Sequence, residues 1–306
     1  MTVRLSGRTV FLMSLPPLLW AGNAIVGRLL VGSVPPVTLN FLRWALAALL
    51  LLPLAWRSLR RPHEILARWR YLAALGVLGV GTYNALQYLA LVTSTPINVT
   101  LIAASTPVWM LAVGALAFRE RPSRRQLLGA VLSLLGVLTV LMRGDPTALA
   151  TLRFVPGDLY VVVAVIAWSF YSWMLARPPA SMRPPLRPDW DWASLLLLQT
   201  LFGLFAAGTA AGVEQLHGAA PIVWTGWVIA ALAFVAIGPS IVAYRCWGLG
   251  IAAGGPALAA FFGNLAPVFA ALMSAALLGE APRAFHIIAF ALIVAGIVVS
   301  TGRRPG

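Results

Sequence analysis

The sequence predicts an all-α integral membrane protein with ten transmembrane helices, arranged as two inverted five-helix repeats around a central cavity. The first observation is composition: 60% of the 306 residues are hydrophobic, 10% are charged, and the mean hydropathy is +0.89. A soluble domain has about 25% charged residues, so this chain has too little polar surface to cover a globule in water. The second observation is a series of apolar runs near the ~20 residues that cross a bilayer as a helix. The third is an apolar segment that occurs twice.

The repeated segment is STPVWMLAVGALAFRERP, which recurs in altered form as LAPVFAALMSAALLGEAP. The matched residues, 160 positions apart, are Pro107 with Pro267, Glu120 with Glu280, and Pro122 with Pro282. Because each copy of the repeat would hold five spans, an odd number, the second copy enters the membrane from the opposite side. Inverted repeats are typical of transporters, whose substrate site lies near the bilayer midplane between the halves. We therefore predict a first repeat over residues 1–147 and an inverted second repeat over 148–306, within one membrane domain.

Apolar runs separated by proline, glycine and arginine predict the ten spans. They cover residues 9–31, 35–56, 70–92, 96–118, 124–142, 156–176, 192–213, 223–245, 254–278 and 283–302. At a rise of about 1.5 Å per residue, these runs are helices that reach across the hydrocarbon core. The longest polar stretch, residues 177–191, holds five of the 22 prolines and is interpreted as a flexible connector.

The arginines predict the orientation of the chain. All 22 basic residues are arginine. With the N-terminus inside, 17 of the 22 fall in cytoplasmic segments, three fall outside, and two lie within spans. This bias follows the positive-inside rule and predicts that both termini are cytoplasmic, which requires an even number of spans. It also explains the net charge of +14 by topology instead of by nucleic-acid binding.

Several function classes lack support in the sequence. Cys246 is the only cysteine, which excludes a disulfide framework and a cysteine metal cluster. The sequence contains no Walker-type glycine loop, no metal-spaced histidine and cysteine set, and no recognisable nucleophile–base pair. We expect no ATP-driven step, no metal, no soluble cofactor and no nucleic-acid partner. The alternative of another class, a membrane-embedded enzyme acting on lipid, would need acids or histidines gathered at one interface, and the sequence does not gather them.

Polar and aromatic residues near the middle of the spans are candidate substrate-binding and cavity-lining residues. They are Trp20, Asn23, Tyr83, Asn84, Gln87, Trp168, Tyr171 and Asn264. Uncharged amides in hydrocarbon need hydrogen-bond partners, so they should face the interior of the bundle. The alternative is that the amides join helices by hydrogen bonds and that the deep aromatic residues pack in the core.

Two prolines and two arginines are further candidates. Pro107 and Pro267 lie near the centres of their spans, where each removes a backbone donor and frees a carbonyl. We interpret them as helix breaks that shape a cavity or gate, although harmless kinks are the alternative. Arg28 and Arg43 lie within spans one and two. Either could attract a substrate carboxylate, or could extend its side chain to the interface by snorkelling.

Four sequence features together carry a resemblance to a known family. They are WAGNAIVGR at 20–28, FLRW at 41–44, NALQYLAL at 84–91, and the two segments with proline, twelve residues, glutamate, one residue and proline. In this order they resemble the drug/metabolite transporter superfamily, in its ten-helix branch of duplicated five-helix units, and most of all its bacterial amino-acid exporters. The resemblance implies export of a broad range of amino acids, aromatic ones included, across the bacterial inner membrane by alternating access. Export of other small metabolites or drugs, such as purines or cationic toxins, is the alternative.

The position of the acidic residues predicts the energetics. All eight aspartates and glutamates fall in loops or near helix ends of the predicted topology. Proton-coupled carriers use a buried acid or histidine that titrates as substrate binds. We therefore predict transport without a proton-relay carboxylate, down the gradient of the amino acid itself.

Overall fold

The computed structural model describes residues 6–94, 96–142, 145, 147, 153, 155–278 and 284–301. Across these residues the regular structure is helical, and none of them lies in a strand. Numbered in chain order, the α-helices are α1 Gly7–Leu29, α2 Pro36–Leu59, α3 Pro62–Leu66, α4 Trp69–Leu75, α5 Tyr83–Thr93, α6 Pro96–Ala104, α7 Thr106–Ala117, α8 Arg124–Leu141, α9 Pro156–Ala176, α10 Trp192–Leu216, α11 Gly226–Val235, α12 Ala243–Gly263, α13 Ala266–Leu278 and α14 Ala284–Thr301. Seven helical stretches of the described chain are long and apolar enough to cross a membrane. The predicted all-α membrane class is therefore confirmed, while the count of ten spans stays a prediction.

Proline and capping residues set where several helices begin. The helices α2, α3 and α9 each begin with a proline, which has no N–H to leave unpaired in the first turn. The Ser123 hydroxyl accepts from the Gln126 backbone at 3.2 Å, and the Gln126 side chain accepts from the Ser123 backbone at 2.8 Å. This reciprocal capping box starts α8 at the residue that the sequence predicts.

The predicted end of span eight is wrong, although the predicted start of span nine at residue 254 lies at a break in the helix. The sequence predicts that span eight ends at residue 245, but α12 continues past it to a break at Gly255, where φ is +80°. The Arg245 charge suggested a boundary, yet its guanidinium lies 5.0 Å from the ring centroid of Trp192 at the start of α10. A cation covered by an aromatic face can remain within a helix. Gly255 takes the left-handed conformation because it has no Cβ, and Pro256 follows it.

Two π-helices occur at equivalent places in the two halves of the chain. They are Gly76–Thr82, between α4 and α5, and Ala236–Val242, between α11 and α12. They are seven residues long and begin 160 positions apart, which is the offset of the repeated sequence segment. π-helical turns are rare and are frequently found at functional sites. The duplication is therefore visible in the backbone as well as in the sequence.

Two helix breaks also recur at this offset. One separates α6 from α7 at Ser105, and the other separates α12 from α13 at Asn264 and Leu265. Pro107 and Pro267 are each the second residue of the helix that follows the break. A proline costs least there because the first turn of a helix has no partner for its N–H groups. The structure therefore has a helix break just before Pro107 and just before Pro267. The role of these two prolines in gating stays a prediction.

The close contacts between α8 and α14 are related by the repeat offset. A Cβ added at Gly129 of α8 would lie 2.7 Å from the Gly296 carbonyl oxygen of α14. A Cβ added at Gly136 would lie 2.8 Å from the Ala289 carbonyl oxygen. At the offset of 160, residue 129 corresponds to 289 and residue 136 to 296. The offset therefore converts the contact between residues 129 and 296 into the contact between residues 289 and 136. A two-fold axis between the halves requires this relation. Small residues allow such close backbone packing in membranes.

The N-terminus of α2 is capped by a side chain from α10. The backbone N–H groups of Val37 and Thr38 donate to the Glu214 carboxylate at 2.9 and 2.7 Å, and the Thr38 hydroxyl donates to it at 2.7 Å. A carboxylate at this position satisfies donors that have no partner within the helix and complements the helix dipole. Because α2 and α10 belong to different predicted repeats, Glu214 also connects the two halves.

We expect Glu214→Gln to lower the melting temperature in detergent. The neutral amide keeps one acceptor oxygen but loses the charge and the second acceptor, and lost caps cost about 1 kcal/mol. Glu64→Gln is the matched control, because Glu64 pairs with an exposed arginine, Arg61, at 3.2 Å. Exposed ion pairs contribute little stability. Equal melting temperatures for the two variants would contradict the capping role.

Candidate functional site

Five aromatic side chains surround Trp168. Its ring centroid lies 4.9 Å from that of Tyr83, 5.0 Å from Tyr171, 5.3 Å from Trp247, and 5.4 Å from both Trp20 and Tyr244. These are the usual separations of interacting aromatic rings. The aromatic cluster is the set Trp20, Tyr83, Trp168, Tyr171, Tyr244 and Trp247. It brings four predicted site residues together: Trp20, Tyr83, Trp168 and Tyr171.

The helices that carry the aromatic cluster come from both halves of the chain. Trp20 lies on α1, and Tyr83 is the first residue of α5, directly after the first π-helix. Trp168 and Tyr171 lie on α9, and Tyr244 and Trp247 lie on α12, just after the second π-helix. The two members of each pair are three positions apart in the sequence, so both project from one helix face. The aromatic cluster therefore lies where the two predicted repeats meet.

The members of the aromatic cluster differ in burial. Four members, Trp168, Tyr171, Tyr244 and Trp247, are at most 4% exposed. A second group is only partly buried: Trp20, Tyr83, and their neighbours Asn23, Gln87 and Tyr88.

Each π-helix presents a backbone carbonyl to an aromatic donor from the other half. The Tyr244 hydroxyl donates to the Gly79 carbonyl, and the Trp20 indole N–H donates to the Pro239 carbonyl at 3.2 Å. Gly79 and Pro239 are 160 positions apart, so the two acceptors are equivalent in the repeat. A π-helical turn interrupts the regular pattern of backbone hydrogen bonds, which makes carbonyls available to side chains. Two bonds to equivalent acceptors therefore connect the aromatic cluster to both π-helices.

We expect Tyr244→Phe to lower the melting temperature in detergent. The change removes only the hydroxyl, and it leaves the buried Gly79 carbonyl without that donor, which costs about 1–3 kcal/mol. Tyr160→Phe is the matched control, because Tyr160 is 42% exposed on α9. A Tyr244→Phe protein that melts like the Tyr160→Phe protein would show that this bond does not stabilise the packed state.

A buried arginine lies beside the aromatic cluster. Arg43 of α2 is 0% exposed, and its guanidinium carbon lies 5.4 Å from the ring centroid of Trp44, which in turn lies 4.8 Å from Tyr244. Its Nε donates to the Ser240 hydroxyl of the second π-helix at 3.0 Å. Its Nη1 donates to the Asn84 side-chain oxygen and the Tyr88 hydroxyl, both at 3.3 Å, and to the Asn23 side-chain oxygen at 3.5 Å. This arrangement is inconsistent with snorkelling, one of the two alternatives that the sequence leaves open.

The other predicted site residues lie in different surroundings. Gln87 donates to the Tyr83 hydroxyl at 3.1 Å, at the edge of the aromatic cluster. Asn264 donates to the Ala104 carbonyl at 3.1 Å and to the Ser133 hydroxyl at 2.8 Å, and it therefore bonds across the two equivalent helix breaks. Its neighbours pack in a separate core region, so the structure does not place Asn264 in the aromatic cluster. The side chain of Arg28, and the whole of Glu280 and Pro282, lie outside the described residues.

Sequence reasoning missed Tyr244, Trp247 and Ser240. The repeat offset contains a signal for two of them, because Asn84 corresponds to Tyr244 and Gln87 corresponds to Trp247. The predicted end of span eight at residue 245 hid this signal, since it placed both aromatic residues at the membrane edge. Ser240 lies inside a π-helix, and no helical periodicity predicts which face it takes.

Two open surface cavities lie apart from the aromatic cluster. One, of about 670 Å³, is bordered by Arg68, Tyr71 and Arg177, and the other, of about 410 Å³, by Glu214 and His217. In the predicted topology they lie on the cytoplasmic and outer sides. Neither cavity is lined by a member of the aromatic cluster.

Comparisons with known proteins agree with a membrane transporter. A family model described as the EamA-like transporter family matches residues 7–142 and again 155–302. An uncharacterized transporter of Archaeoglobus fulgidus is 26% identical over an alignment of 306 positions, which covers 98% of this chain and 99% of the relative. The aromatic amino acid exporter YddG of Ancylobacter novellus is 28% identical over 294 residues, 93% of each chain.

Two further comparisons extend over most of the chain. A probable amino-acid metabolite efflux pump of Salmonella typhimurium is 24% identical over 305 residues, which cover 97% of this chain and 95% of the pump. A solved crystal structure has a TM-score of 0.70 at 24% sequence identity and covers 95% of both chains. At that identity the structural likeness shows the fold alone.

Proposed function

The chain belongs to the EamA-like transporter family, and from this premise we propose that it exports amino acids, aromatic ones among them, across the bacterial inner membrane by alternating access. The family assignment makes the protein a multi-span membrane transporter and not an enzyme. The amino-acid substrate and the direction of transport belong to the proposal.

The observation that carries the proposal is the aromatic cluster beside Arg43, where the two predicted repeats meet. Aromatic faces bind flat apolar groups by stacking and edge contacts. The amide and hydroxyl groups of Asn23, Asn84 and Tyr88, which accept from the Arg43 guanidinium, lie on α1 and α5, the helices that carry Trp20 and Tyr83. A ligand with an apolar ring and a polar backbone matches this combination. Two relatives, named as an aromatic amino acid exporter and a probable amino-acid metabolite efflux pump, support the same substrate class.

The proposed mechanism uses the duplicated breaks in the helices. Alternating access in inverted-repeat transporters is a movement of one repeat against the other around a fixed site. The π-helices and the breaks at Ser105 and Asn264 provide equivalent places where each repeat can bend. Breaking the Trp20 bond to Pro239 and the Tyr244 bond to Gly79 would release the two halves in turn.

The experiment that tests the function is uptake of labelled amino acids into liposomes that contain the purified protein. We expect saturable flux of phenylalanine, tryptophan and tyrosine that empty liposomes do not show. Flux of a purine base or of a cationic dye, with none of any amino acid, would reject the proposed substrate class. The buried positive charge of Arg43 favours amino acids over cationic toxins, because a cation next to it would be repelled.

The same liposomes test the energetics. We propose transport down the gradient of the amino acid, since the hydrogen-bond partners of Arg43 in the described structure are neutral groups. With equal substrate on both sides and an imposed pH gradient, we expect no net accumulation. Accumulation that a protonophore abolishes would show proton coupling and overturn this part of the proposal.

A further inference from the structure

We propose that the Arg43 guanidinium binds the carboxylate of the substrate and makes a carboxylate a requirement for transport. The inference rests on the proposed function, because it assigns the ligand group of the same site. It adds a division of roles: Arg43 and Asn84 bind the carboxylate, and the aromatic cluster binds the side chain of the substrate.

The first argument is the uncompensated charge. Arginine keeps its positive charge in proteins, and a buried cation needs an acidic partner or a set of strong acceptors. Two ion pairs of the described residues, Arg61–Glu64 and Arg177–Glu120, involve neither Arg43 nor its hydrogen-bond partners. Within the described residues, four groups accept hydrogen bonds from Arg43: two hydroxyls and two amide oxygens, all of them neutral. A substrate carboxylate would supply the missing negative charge.

The second argument is a pair of buried donors that make no hydrogen bond of good geometry in the described structure. Arg43 Nη2 is buried and makes no hydrogen bond within the described structure. Asn84 Nδ2 borders the Tyr244 hydroxyl, but it also lacks a hydrogen bond of acceptable geometry there. Since Arg43 Nη1 already donates to the Asn84 side-chain oxygen at 3.3 Å, the two free donors belong to directly bonded side chains. Two neighbouring unpaired donors call for a group that only accepts, and an ionised carboxylate is such a group.

The third argument is how firmly the guanidinium is held. Its bonded partners lie on α1, on α5 and in the second π-helix, so Arg43 connects three spans to α2. The Ser240 hydroxyl that accepts from Nε donates in turn to the Val235 carbonyl at 2.8 Å, and this fixes its orientation. A side chain held in place loses little entropy when it binds a ligand. The Nη2 edge is the part left free for a charge-assisted bond.

The alternative is that Arg43 only joins the helices. Both roles make Arg43 important for folding, so stability alone does not separate them. They differ in one readout: a purely structural arginine does not change which chemical groups the ligand must carry. The test therefore compares phenylalanine with two analogues, 3-phenylpropionate, which lacks the amine, and phenethylamine, which lacks the carboxylate.

The first experiment uses the unaltered protein in liposomes and in detergent. We expect 3-phenylpropionate to compete with labelled phenylalanine and to raise the melting temperature, and we expect phenethylamine to do neither. Phenethylamine that competes as well as phenylalanine would overturn the inference. If no amino acid is transported but 3-phenylpropionate alone raises the melting temperature, the proposed function fails and the carboxylate site stands.

The second experiment compares Arg43→Gln with Arg43→Lys. Arg60→Gln is the matched control, because Arg60 stacks on the ring of Trp56, 3.8 Å away, at the end of α2. We expect Arg43→Gln to reduce phenylalanine flux at least about tenfold and to abolish competition by 3-phenylpropionate. Arg43→Lys keeps the charge without the planar fork, so an intermediate loss is expected. A folded Arg43→Gln protein that still prefers 3-phenylpropionate to phenethylamine would overturn the inference. If Arg43→Gln does not fold, the comparison of analogues on the unaltered protein decides.

Discussion

Replacement of Trp168 by alanine is expected to reduce amino-acid flux in liposomes at least about tenfold, which corresponds to about 1.4 kcal/mol. The change removes the ring at the centre of the aromatic cluster, and with it contacts to five other rings at centroid distances of 4.9 to 5.4 Å. Each such contact contributes about 0.5–1.5 kcal/mol. Trp168→Phe keeps an apolar ring and should retain a larger part of the flux.

The matched control for this prediction is Trp227→Ala. Trp227 lies on α11 and is 50% exposed, so its loss removes the same side chain from the lipid-facing surface. Flux is divided by the amount of folded protein recovered from size-exclusion chromatography, which separates transport from stability. If folded Trp168→Ala protein transports every tested amino acid at the parental rate, the substrate site lies elsewhere.

The second large effect is expected at the contact between α8 and α14. Gly129→Ala would place a methyl group 2.7 Å from the Gly296 carbonyl oxygen, a distance that real Cβ atoms do not adopt. The obstacle is backbone, so the two helices must move apart, and overpacking of this kind costs about 1–3 kcal/mol. We expect a melting temperature several degrees lower and less folded protein recovered.

Gly212→Ala is the control for this substitution. Gly212 lies inside α10, and a Cβ added there meets no atom within 4 Å. In this position alanine should be neutral or stabilising, because it favours a helix over glycine. Because Gly129–Gly296 and Gly136–Ala289 are symmetric contacts, Gly136→Ala should destabilise to a similar extent. A Gly129→Ala protein as stable as Gly212→Ala would contradict the two-fold packing.

Much of the secondary structure could be predicted from the sequence. Helix α8 covers residues 124–141 and α9 covers 156–176, against predicted spans of 124–142 and 156–176. These ends are marked by local chemistry: a capping box at Ser123 and a proline at the first position of α9. The error between spans eight and nine also has a local cause. An arginine usually marks a membrane edge, but Arg245 lies inside a helix, where its guanidinium is close to the ring of Trp192, far away in the sequence.

The candidate site could be predicted only in part. Trp20, Tyr83, Trp168 and Tyr171 were recognisable because large aromatic residues at mid-span depth are unlike an interfacial belt. Asn264 has the same depth and polarity, yet its partners are Ala104 and Ser133. Depth in a span is read from the sequence, but the neighbouring helix that a side chain faces depends on the rotation of each helix.

The sequence by itself determined the class of the protein: a helical membrane protein built from a duplicated unit. Composition, span length and the repeat at an offset of 160 are properties of the chain that hold whatever the packing. Only the tertiary structure decided the role that is open to Arg43. Snorkelling and burial are both possible for an arginine about two turns inside a span. The choice depends on whether Ser240, Asn84, Tyr88 and Asn23, from three other segments, lie close enough to accept its hydrogen bonds, and in the folded chain they do.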